Sequence, residues 1–585
     1  MGNYRAPHRM RELGNSLRLG SANSPRKALN WAMSARFPTH EVFNQPPPFE
    51  DVNLFTSDVA LIDAVEREGG GAASGALGVF GQVAGSAEAQ ERGRLANEHT
   101  PKLSTHDRQG RRRDTVTFHP AYHTLMRTSC AEGLHASIWT HLGKKGEARR
   151  PGAHVARAGA FYMAAQMEAG HCCPITMTNA AVPVLLQQPD VAAEWLPRIL
   201  PNSYDPSFAP PGAKTAVTLG MGMTEKQGGT DVRAATTKAE LVGGGEYRIT
   251  GHKWFLSAPM SDAFLVLAQA PDGLTCFLLP RFRPDGSVNA LHLQRLKDKL
   301  GNRSNASAEV EFHGAYARAI GEEGRGVATI IDMVTYTRLD CAVASAGLMR
   351  FALANAIHHA EHRSVFDKKL VEQPVMQQVL ADMALDVEAA GALAFRLARA
   401  FDRAEDPRAS AWRRLMTPVT KYWVCKLAPP LAAEAMECLG GNGYVEEAPL
   451  ARLYREVPVN SIWEGSGNVM ALDVARVLQR EPAAVQVVMD ELLVAAGDDQ
   501  HLRRAHARLE AMLQEPKLLD ARGRTLVEAL AVLAAATILR AHAPAAVADA
   551  FIATRISGDP RQTYGQGLEH ADVRAIISRA SPNQA

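Results

Sequence analysis

The sequence SIWEGSGNVMALD, from Ser461 to Asp473, is the stretch around which the rest of the chain can be interpreted. It places one carboxylate, Glu464, between the aromatic Trp463 and a Gly-Ser-Gly turn. Apolar residues then recur at helical spacing, and either Ser466 or Gly467 can cap the predicted helix. A carboxylate in a tight turn beside an apolar ring can be desolvated, which raises its pKa toward the range of a general base. Taken alone, the stretch favours the simpler interpretation of a solvated residue that faces a helix dipole.

The length and composition of the chain limit the kinds of protein that it can be. A chain of 585 residues predicts about three to five domains. Apolar residues make up 46%, enough for a large core, and the net charge of +2 argues neither for nor against a nucleic-acid partner. The seven cysteines form no CxxC pair, which indicates reduced thiols in a cytoplasmic protein. No run of eighteen apolar residues occurs, so we predict no membrane-spanning helix.

Residues 1–38 differ from the rest of the chain. They contain six Arg and one Lys but only one acidic residue, Glu12. This composition predicts a basic, disordered extension. The alternative is an organellar transit peptide, because Arg-rich, Ser-containing and acid-poor segments also have that role.

The remaining chain predicts a mainly α protein with a central β domain. Residues 39–213 hold a Pro-rich arm followed by helices, and residues 214–325 hold short β-prone segments that suggest a small barrel or sandwich. Residues 326–481 contain long amphipathic stretches at 327–362, 374–404, 409–440 and 468–480, as in a four-helix bundle. Residues 482–585 add further helices, broken at Pro516, Pro544 and Pro560.

Two motifs suggest metal sites, and we favour a structural interpretation of both. Cys172-Cys173 could bind a soft metal, but no other thiol is near in sequence, so we predict buried packing residues that follow a turn. The sequence HHAEH at 358–362 matches an inverted zinc-peptidase motif without any signal for a third ligand. We interpret it as the polar face of a bundle helix and predict no metal site.

Three further motifs could contact a nucleotide. The loop MGMTEKQGGTD at 221–231 has glycines that allow close approach of phosphates, although it is neither a Walker loop nor GxGxxG. GHKWFLS at 251–257 is a strand that ends in a hydroxyl, and Arg363 can fork onto a phosphate. LGGNGY at 439–444 permits close backbone approach, or simply ends a helix.

Together these motifs resemble the acyl-CoA dehydrogenase flavoprotein family, in its alkylation-response (AidB-like) branch. The shared landmarks are FNQP at 43–46, GMGMTEKQGG at 220–229, GHKWF at 251–255, LKDKLGNRSNAS at 296–307, LGGNGY at 439–444 and LYREVPVNSIWEGSGN at 453–468. The resemblance covers about residues 40–580. It implies an N-terminal helical domain, a β barrel, and a C-terminal four-helix bundle with extra C-terminal helices.

The resemblance implies that the chain binds FAD. Thr224 would reach the isoalloxazine, Thr230 the phosphates, and the Ser257 hydroxyl the flavin N5. The full set of implied contacts is Met221, Gly222, Met223, Thr224, Gly228, Gly229 and Thr230 in the loop; Phe255, Leu256 and Ser257 in the strand; and Ile462, Trp463, Gly465, Ser466, Gly467 and Asn468 around the base. Arg363, Gln373, Gly440 and Gly441 would reach the FAD of a neighbouring subunit, which implies a homotetramer.

The resemblance also implies a reaction. Glu464 would abstract the α-proton of an acyl-CoA thioester while a hydride passes from the β carbon to flavin N5. Some relatives place the base just before a residue equivalent to Arg338, but that position is Thr337 here, so Glu464 is the sole conventional candidate. Lys226 departs from the usual loop, and Trp463 replaces a common Tyr, which can narrow the acyl channel. We expect weak or specialised activity.

The branch is associated with the response to alkylation damage and with binding of double-stranded DNA through the C-terminal region. Residues 476–585 carry 13 basic and 13 acidic residues, so any affinity for DNA requires a local patch. Arg503, Arg504 and Arg508 lie on neighbouring turns and could form one. The alternatives are a DNA-binding protective protein with vestigial dehydrogenase activity, and a helix face that is simply solvated.

Overall fold

The structure, a computed structural model, describes residues 41–143, 147–514, 519–558 and 562–583. It divides into two units, Met1–Gln45 and Pro46–Ala585. Residues 41–45 are the described part of the first unit and contain no helix or strand. The predicted basic extension at 1–38, together with Pro516 and Pro560, lies outside the described residues.

Helices dominate the first part of the larger unit. They are α1 (Val59–Arg67), α2 (Ser74–Ala84), α3 (Ala87–Glu98), α4 (Pro120–Ala131), α5 (Ala153–Met167), α6 (Cys172–Leu185) and α7 (Pro189–Ile199). Cys172 begins α6, so the predicted turn at this position is wrong. The prediction of helices also missed a hairpin of β1 (Lys102–His106) and β2 (Arg112–Thr117). Its strands are short and polar, and one side chain, Asp107, fixes the turn by accepting from the backbone N–H of Gln109 and Arg111.

The central domain is a closed barrel, which is one of the two architectures, barrel or sandwich, that the sequence suggests. Its strands are β3 (Leu219–Gly222), β4 (Lys238–Gly243), β5 (Glu246–Ser257), β6 (Ala263–Ala270), β7 (Gly273–Pro280), β8 (Leu291–Leu296) and β9 (Ser307–Ile320). Pairing runs round the ring β6, β4, β5, β9, β7 and back to β6, with β3 attached to β6 and β8 to β9. The sequence did not predict β4, because Ala239 is its one buried residue.

The chain then returns to helices. They are α8 (Gly326–His362), α9 (Pro374–Asp402), α10 (Pro407–Cys438), α11 (Gly441–Tyr444), α12 (Pro449–Glu456) and α13 (Gly467–Arg480), with a small hairpin of β10 (Ser364–Val365) and β11 (Lys368–Lys369) after α8. The long helices α8, α9 and α10 pack on one another, and α13 packs on α10. The four predicted helices of the bundle therefore exist, with ends within two residues of the predicted ones.

The last helices belong to the same core rather than to a separate body. They are α14 (Pro482–Ala496), α15 (Gln500–Leu513), α16 (Leu519–His542), α17 (Ala545–Ile552) and α18 (Val573–Ala580). Helix α16 packs against α9, α10 and α13, and α18 packs against α9. Pro544 separates α16 from α17, as predicted.

Two helices, Gly326–His362 and Ala521–His542, are long and apolar enough to cross a membrane by length and composition. Their most apolar windows are 94% and 67% buried inside the protein, as expected of core helices. The motif at the end of the first, which we interpret as the polar face of a bundle helix, is largely covered by the rest of the protein. His358 and His359 are buried, and His358 Nε2 lies 2.9 Å from the carbonyl oxygen of Pro47. Across the described ranges, no three His, Cys, Asp or Glu side chains are grouped to hold a metal.

Candidate active site

The turn that carries Glu464 has an uncommon backbone. Glu464 has φ +57° and Gly465 has φ +97°, and a non-glycine residue in this region is strained unless its surroundings hold it. Two cationic side chains do so. Lys421 Nζ donates to the carbonyl oxygens of Trp463 and Gly465 at 2.9 and 2.5 Å, and Arg338 Nε donates to that of Glu464 at 3.0 Å. Three successive carbonyl groups are therefore fixed from α8 and α10.

The Glu464 carboxyl group has one close polar partner, the Thr337 hydroxyl, 2.7 Å from Oε2. Burial raises the pKa of Glu464 above its usual value, and Thr337, Arg338 and Lys421 each reduce that rise. Arg338 is itself held by Asp473, with 2.7 Å between Nη1 and Oδ2. Thr337 thus supplies a hydrogen-bond partner of the Glu464 carboxyl group.

The predicted loop at 221–230 is anchored by a buried ion pair. Glu225 Oε1 lies 2.8 Å from Lys253 Nζ, and both side chains are fully buried. Burial alone would raise the pKa of Glu225, but the Lys253 ammonium, with backbone and hydroxyl donors of Thr236 and Thr237, holds it well below its usual range. The motifs TEKQGG and GHKWF, which are separate in the sequence, are therefore one structural element.

Above this anchor the loop presents backbone and hydroxyl groups to the outside. Thr224 accepts from the backbone N–H of Trp254 at 2.8 Å, which draws the loop along β5. A Cβ atom on Gly229 would lie 2.3 Å from Thr224 Oγ1, so the two residues are in close contact. Gly228, with φ +133° and open space around it, and Thr230 are exposed. This arrangement suits the approach of phosphate oxygens.

At the end of β5 the predicted contact residues differ in whether their side chains are exposed or buried. Phe255 is 49% exposed, whereas the Leu256 side chain is fully buried in the barrel core, so Leu256 can offer a ligand only its backbone. Ser257 Oγ lies 3.0 Å from Ser307 Oγ on β9. Lys299 Nζ in turn donates to Ser307 Oγ at 3.0 Å.

Cys173 is a residue of this site that sequence reasoning missed. Burial raises the pKa of its thiol to about 12, and the other groups that act on it are Lys299, Asn305, Glu464 and Ser257. Helix α6, the end of β5 and the Glu464 turn therefore converge on one thiol. The vicinal cysteines alone carried no such signal, because these groups come from three other, distant parts of the chain.

The remaining predicted contact residues, on either side of Glu464, differ in exposure and in hydrogen bonding. Ile462 is 64% exposed, and the Trp463 Nε1 donates to Asn460 Oδ1 at 3.0 Å. Ser466 is the N-cap of α13 but makes no side-chain capping hydrogen bond. Asn468 Oδ1 accepts from Arg524 Nε of α16 at 2.8 Å, so its side chain is engaged within the chain.

The contacts assigned to a neighbouring subunit form a group of their own at the corner between α8 and α9. Arg363 ends α8, and Gln373 Nε2 donates to the carbonyl oxygen of Val365 at 3.0 Å. The hairpin between Arg363 and Gln373 has Phe366 in its turn, and this side chain is 89% exposed. Gly440 (φ +60°) and Gly441 lie after α10, and a Cβ atom on either would meet nothing within 4 Å.

The three predicted DNA-binding arginines all lie on the exposed side of α15. Two of them also hold the fold: Arg503 Nε donates to the carbonyl oxygen of Gly497 at 2.6 Å, and Arg508 Nη2 to that of Ile556 at 3.2 Å.

Comparison with known proteins shows the family to which the chain belongs. Residues 44–206 match the adaptive response protein AidB N-terminal domain, 220–315 the acyl-CoA dehydrogenase middle domain, and 324–479 the acyl-CoA dehydrogenase C-terminal domain. A putative acyl-CoA dehydrogenase AidB from Escherichia coli K12 is 49% identical over 514 residues, covering 88% of this chain and 94% of the relative. The chain belongs to the acyl-CoA dehydrogenase family, in its AidB-like branch.

Two solved structures extend the comparison. The Caenorhabditis elegans acyl-CoA dehydrogenase ACDH-11 in complex with C11-CoA superposes with a TM-score of 0.79 at 28% identity, covering 90% of this chain and 96% of that one. A Bacillus anthracis acyl-CoA dehydrogenase complexed with FAD shares the fold, with a TM-score of 0.59 at 18% identity and 79% coverage of both chains. The predicted fold class is confirmed.

This acyl-CoA dehydrogenase-type oxidoreductase uses FAD, as its family does. The residues present fit that cofactor. The loop at 224–230 offers an open glycine and exposed hydroxyls, Phe255 is a half-exposed ring at the barrel rim, and Gly440 and Gly441 leave space that a side chain would fill.

Proposed function

We propose that this protein oxidises an acyl-CoA thioester, with Glu464 as the base that takes the α-proton. The observation that carries the proposal is the position of Glu464: a half-buried carboxyl group with a raised pKa, in a strained turn whose backbone is held by Lys421 and Arg338. In such a site a carboxylate is a stronger base than a solvated one.

The chain's own residues explain how the proton is moved. FAD, when bound, supplies the acceptor for the hydride that leaves the β carbon. Glu464 takes the proton from the α carbon, and the electron pair of that C–H bond forms the new double bond. Lys421 and Arg338 fix the backbone on both sides of Glu464, so the carboxyl group is oriented before substrate arrives. Thr337 donates to the carboxylate form and keeps it aimed.

Within this proposal, the loop Met221–Thr230 and the residues Phe255–Ser257 hold the FAD, and Ser257 lies beside the ring. The substrate is an acyl-CoA or a related small molecule, supported by the C11-CoA in the nematode relative. A role in the alkylation-damage response, with weak or specialised activity, is supported by the AidB-like relatives. All seven cysteines are free, consistent with a reducing cytoplasm.

The test is an anaerobic titration of the FAD-loaded protein with short, branched and long acyl-CoAs while the flavin absorbance is followed. Fast bleaching by one chain length supports the proposal and identifies the substrate. Glu464→Gln should abolish that bleaching and retain FAD. Unchanged bleaching in Glu464→Gln would overturn the assignment of the base.

We also propose a homotetramer in which Arg363, Gln373, Gly440 and Gly441 complete the FAD site of a neighbouring subunit. Its support is the presence of exposed apolar side chains close to these residues in sequence: Phe366, Val375 and Tyr444 are 89%, 78% and 82% exposed. Light scattering on the eluting protein gives the subunit number. Phe366→Asp should reduce both that number and the affinity for FAD, and a monomer that binds FAD fully would refute the arrangement.

A second candidate function is binding of double-stranded DNA with vestigial dehydrogenase activity. The observation that favours it is that Arg503, Arg504 and Arg508 are all exposed on α15. Because Arg503 and Arg508 also bind backbone carbonyls, Arg504→Ala is the cleanest variant. It should weaken duplex binding and reduce the salt slope by about one. An unchanged slope would remove this patch as the DNA site.

A further inference from the structure

Lys299 is a cation in an unusual place. It belongs to the segment LKDKLGNRSNAS, which the proposed function leaves without a role. No carboxylate oxygen lies within 4 Å of its Nζ in the part of the chain that the structure describes. The ammonium instead donates to the Asn305 carbonyl oxygen at 2.6 Å and to Ser307 Oγ at 3.0 Å. Burial lowers its pKa, so the structure tolerates a costly charge at this point.

The segment around Lys299 is held rigidly. Asn302 Nδ2 donates to the buried carboxylate of Glu456 at 2.9 Å. Two residues on, Ser304 Oγ donates to the buried carboxylate of Glu168 at 2.8 Å. Buried polar groups of the N-terminal helices and of α12 therefore fix the backbone of the segment that carries Lys299. The position of the ammonium group is set in advance by these contacts.

The chemistry of an ammonium group gives the hydrogen bonds a direction. An ammonium has three donors and no acceptor, so Ser307 Oγ must accept from Lys299. The Ser307 proton is then free to donate to Ser257 Oγ, 3.0 Å away. Ser257, having accepted, has its own proton left to donate elsewhere. Hydrogen bonds arranged in one direction polarise and strengthen each other.

We infer that Lys299 is a positioning residue for the FAD site: through Ser307 it makes the Ser257 hydroxyl a donor toward the cofactor. This inference rests on the proposed function, which places Ser257 beside the flavin ring. A donor that faces the ring stabilises the electron-rich reduced state more than the oxidised state. Lys299 therefore favours reduction of the cofactor without touching substrate.

The test is the midpoint potential of FAD in the full-length protein, measured by reduction with dithionite in the presence of a reference dye. Lys299→Met and Ser307→Ala should each lower the oxidised-to-reduced equilibrium constant at least tenfold, about 30 mV for a two-electron couple. Lys299→Met combined with Ser307→Ala should lower it no further than either change alone, because both break the same chain. Lys238→Met, an exposed lysine on β4, is the control and should leave the potential unchanged.

Two outcomes would overturn the inference. If Lys299→Met shifts the potential equally with and without Ser307→Ala, the charge acts directly and the chain plays no part. If neither variant shifts it, Lys299 is only structural. Should Lys299→Met fail to fold, Lys299→Gln, which retains a donor for Asn305, replaces it. Because dithionite needs no acyl-CoA, failure of every acyl-CoA to bleach the flavin would reject the proposed function and leave this measurement intact.

Discussion

Replacing Lys421 by Met separates two effects of one buried cation. The change removes both hydrogen bonds to the carbonyl groups that flank Glu464. Hydrogen bonds from a charged donor contribute about 1.5–3 kcal/mol each to the stability of the fold. Burying an ammonium group that has only carbonyl acceptors costs several kcal/mol, and methionine avoids this cost. The net effect on the free energy of unfolding is therefore small, whereas the loss of positive charge next to Glu464 has nothing to offset it.

The effect on Glu464 has a definite sign. Lys421 lowers the pKa of this carboxyl group, so its removal raises a pKa that burial already raises. An opposite charge nearby favours the ionised carboxylate, and Thr337 and Arg338 still oppose the rise after Lys421 is removed. In the proposed mechanism Glu464 must be ionised to take a proton. Consequently the rising limb of the pH profile should move toward higher pH, and each pH unit of movement lowers the rate below the limb about tenfold.

The assay is the rate of flavin bleaching by the best acyl-CoA, measured by stopped flow between pH 5 and 9. Arg408→Met is the control, since Arg408 is an exposed cation at the start of the same helix. A limb that stays in place in Lys421→Met, or moves to lower pH, would refute the electrostatic argument. A lower melting temperature with an unchanged limb would reduce Lys421 to a structural role.

Three further predictions concern the same site. Thr337→Val removes the hydroxyl that lowers the pKa of Glu464, so the pH limb should also move to higher pH; no movement would show that the 2.7 Å contact is unimportant in solution. Glu464→Gln should raise the melting temperature near pH 8, because a carboxyl group with a raised pKa costs stability once the unfolded chain has lost that proton; the gain should vanish below about pH 4, and a gain that persists there would contradict this cause. Glu225→Gln leaves the Lys253 ammonium buried without its carboxylate and should cost about 3–5 kcal/mol in urea unfolding, with part of it recovered when Lys253→Met is added. Equal losses in the single and double variants would mean that the backbone contacts of Glu225, not the ion pair, hold the loop.

The environment of Glu464 was not decided by the sequence. Its position beside Trp463 and before a glycine turn allowed a desolvated carboxyl group, but taken alone it favoured a solvated one, and the structure makes Glu464 half-buried with a raised pKa. The cations that hold that turn could not be read in the same way, because Lys421 is more than forty residues away on a helix that otherwise looks like any bundle helix. In the sequence Thr337 was notable only because it cannot act as a carboxylate base. The structure makes its hydroxyl the hydrogen-bond partner of Glu464.

By itself the sequence determined the order of helical, β and bundle regions, the loop at 221–231 and the turn that carries Glu464, because local periodicity, turn residues and short motifs are properties of neighbouring residues. The tertiary structure decided what depends on distance in space. It closed the strands into a barrel, joined Glu225 to Lys253, and brought Cys173, Ser257 and Lys299 to one point. No pattern within one segment encodes these contacts, since each of them pairs groups that only the packing of separate elements brings within hydrogen-bond reach.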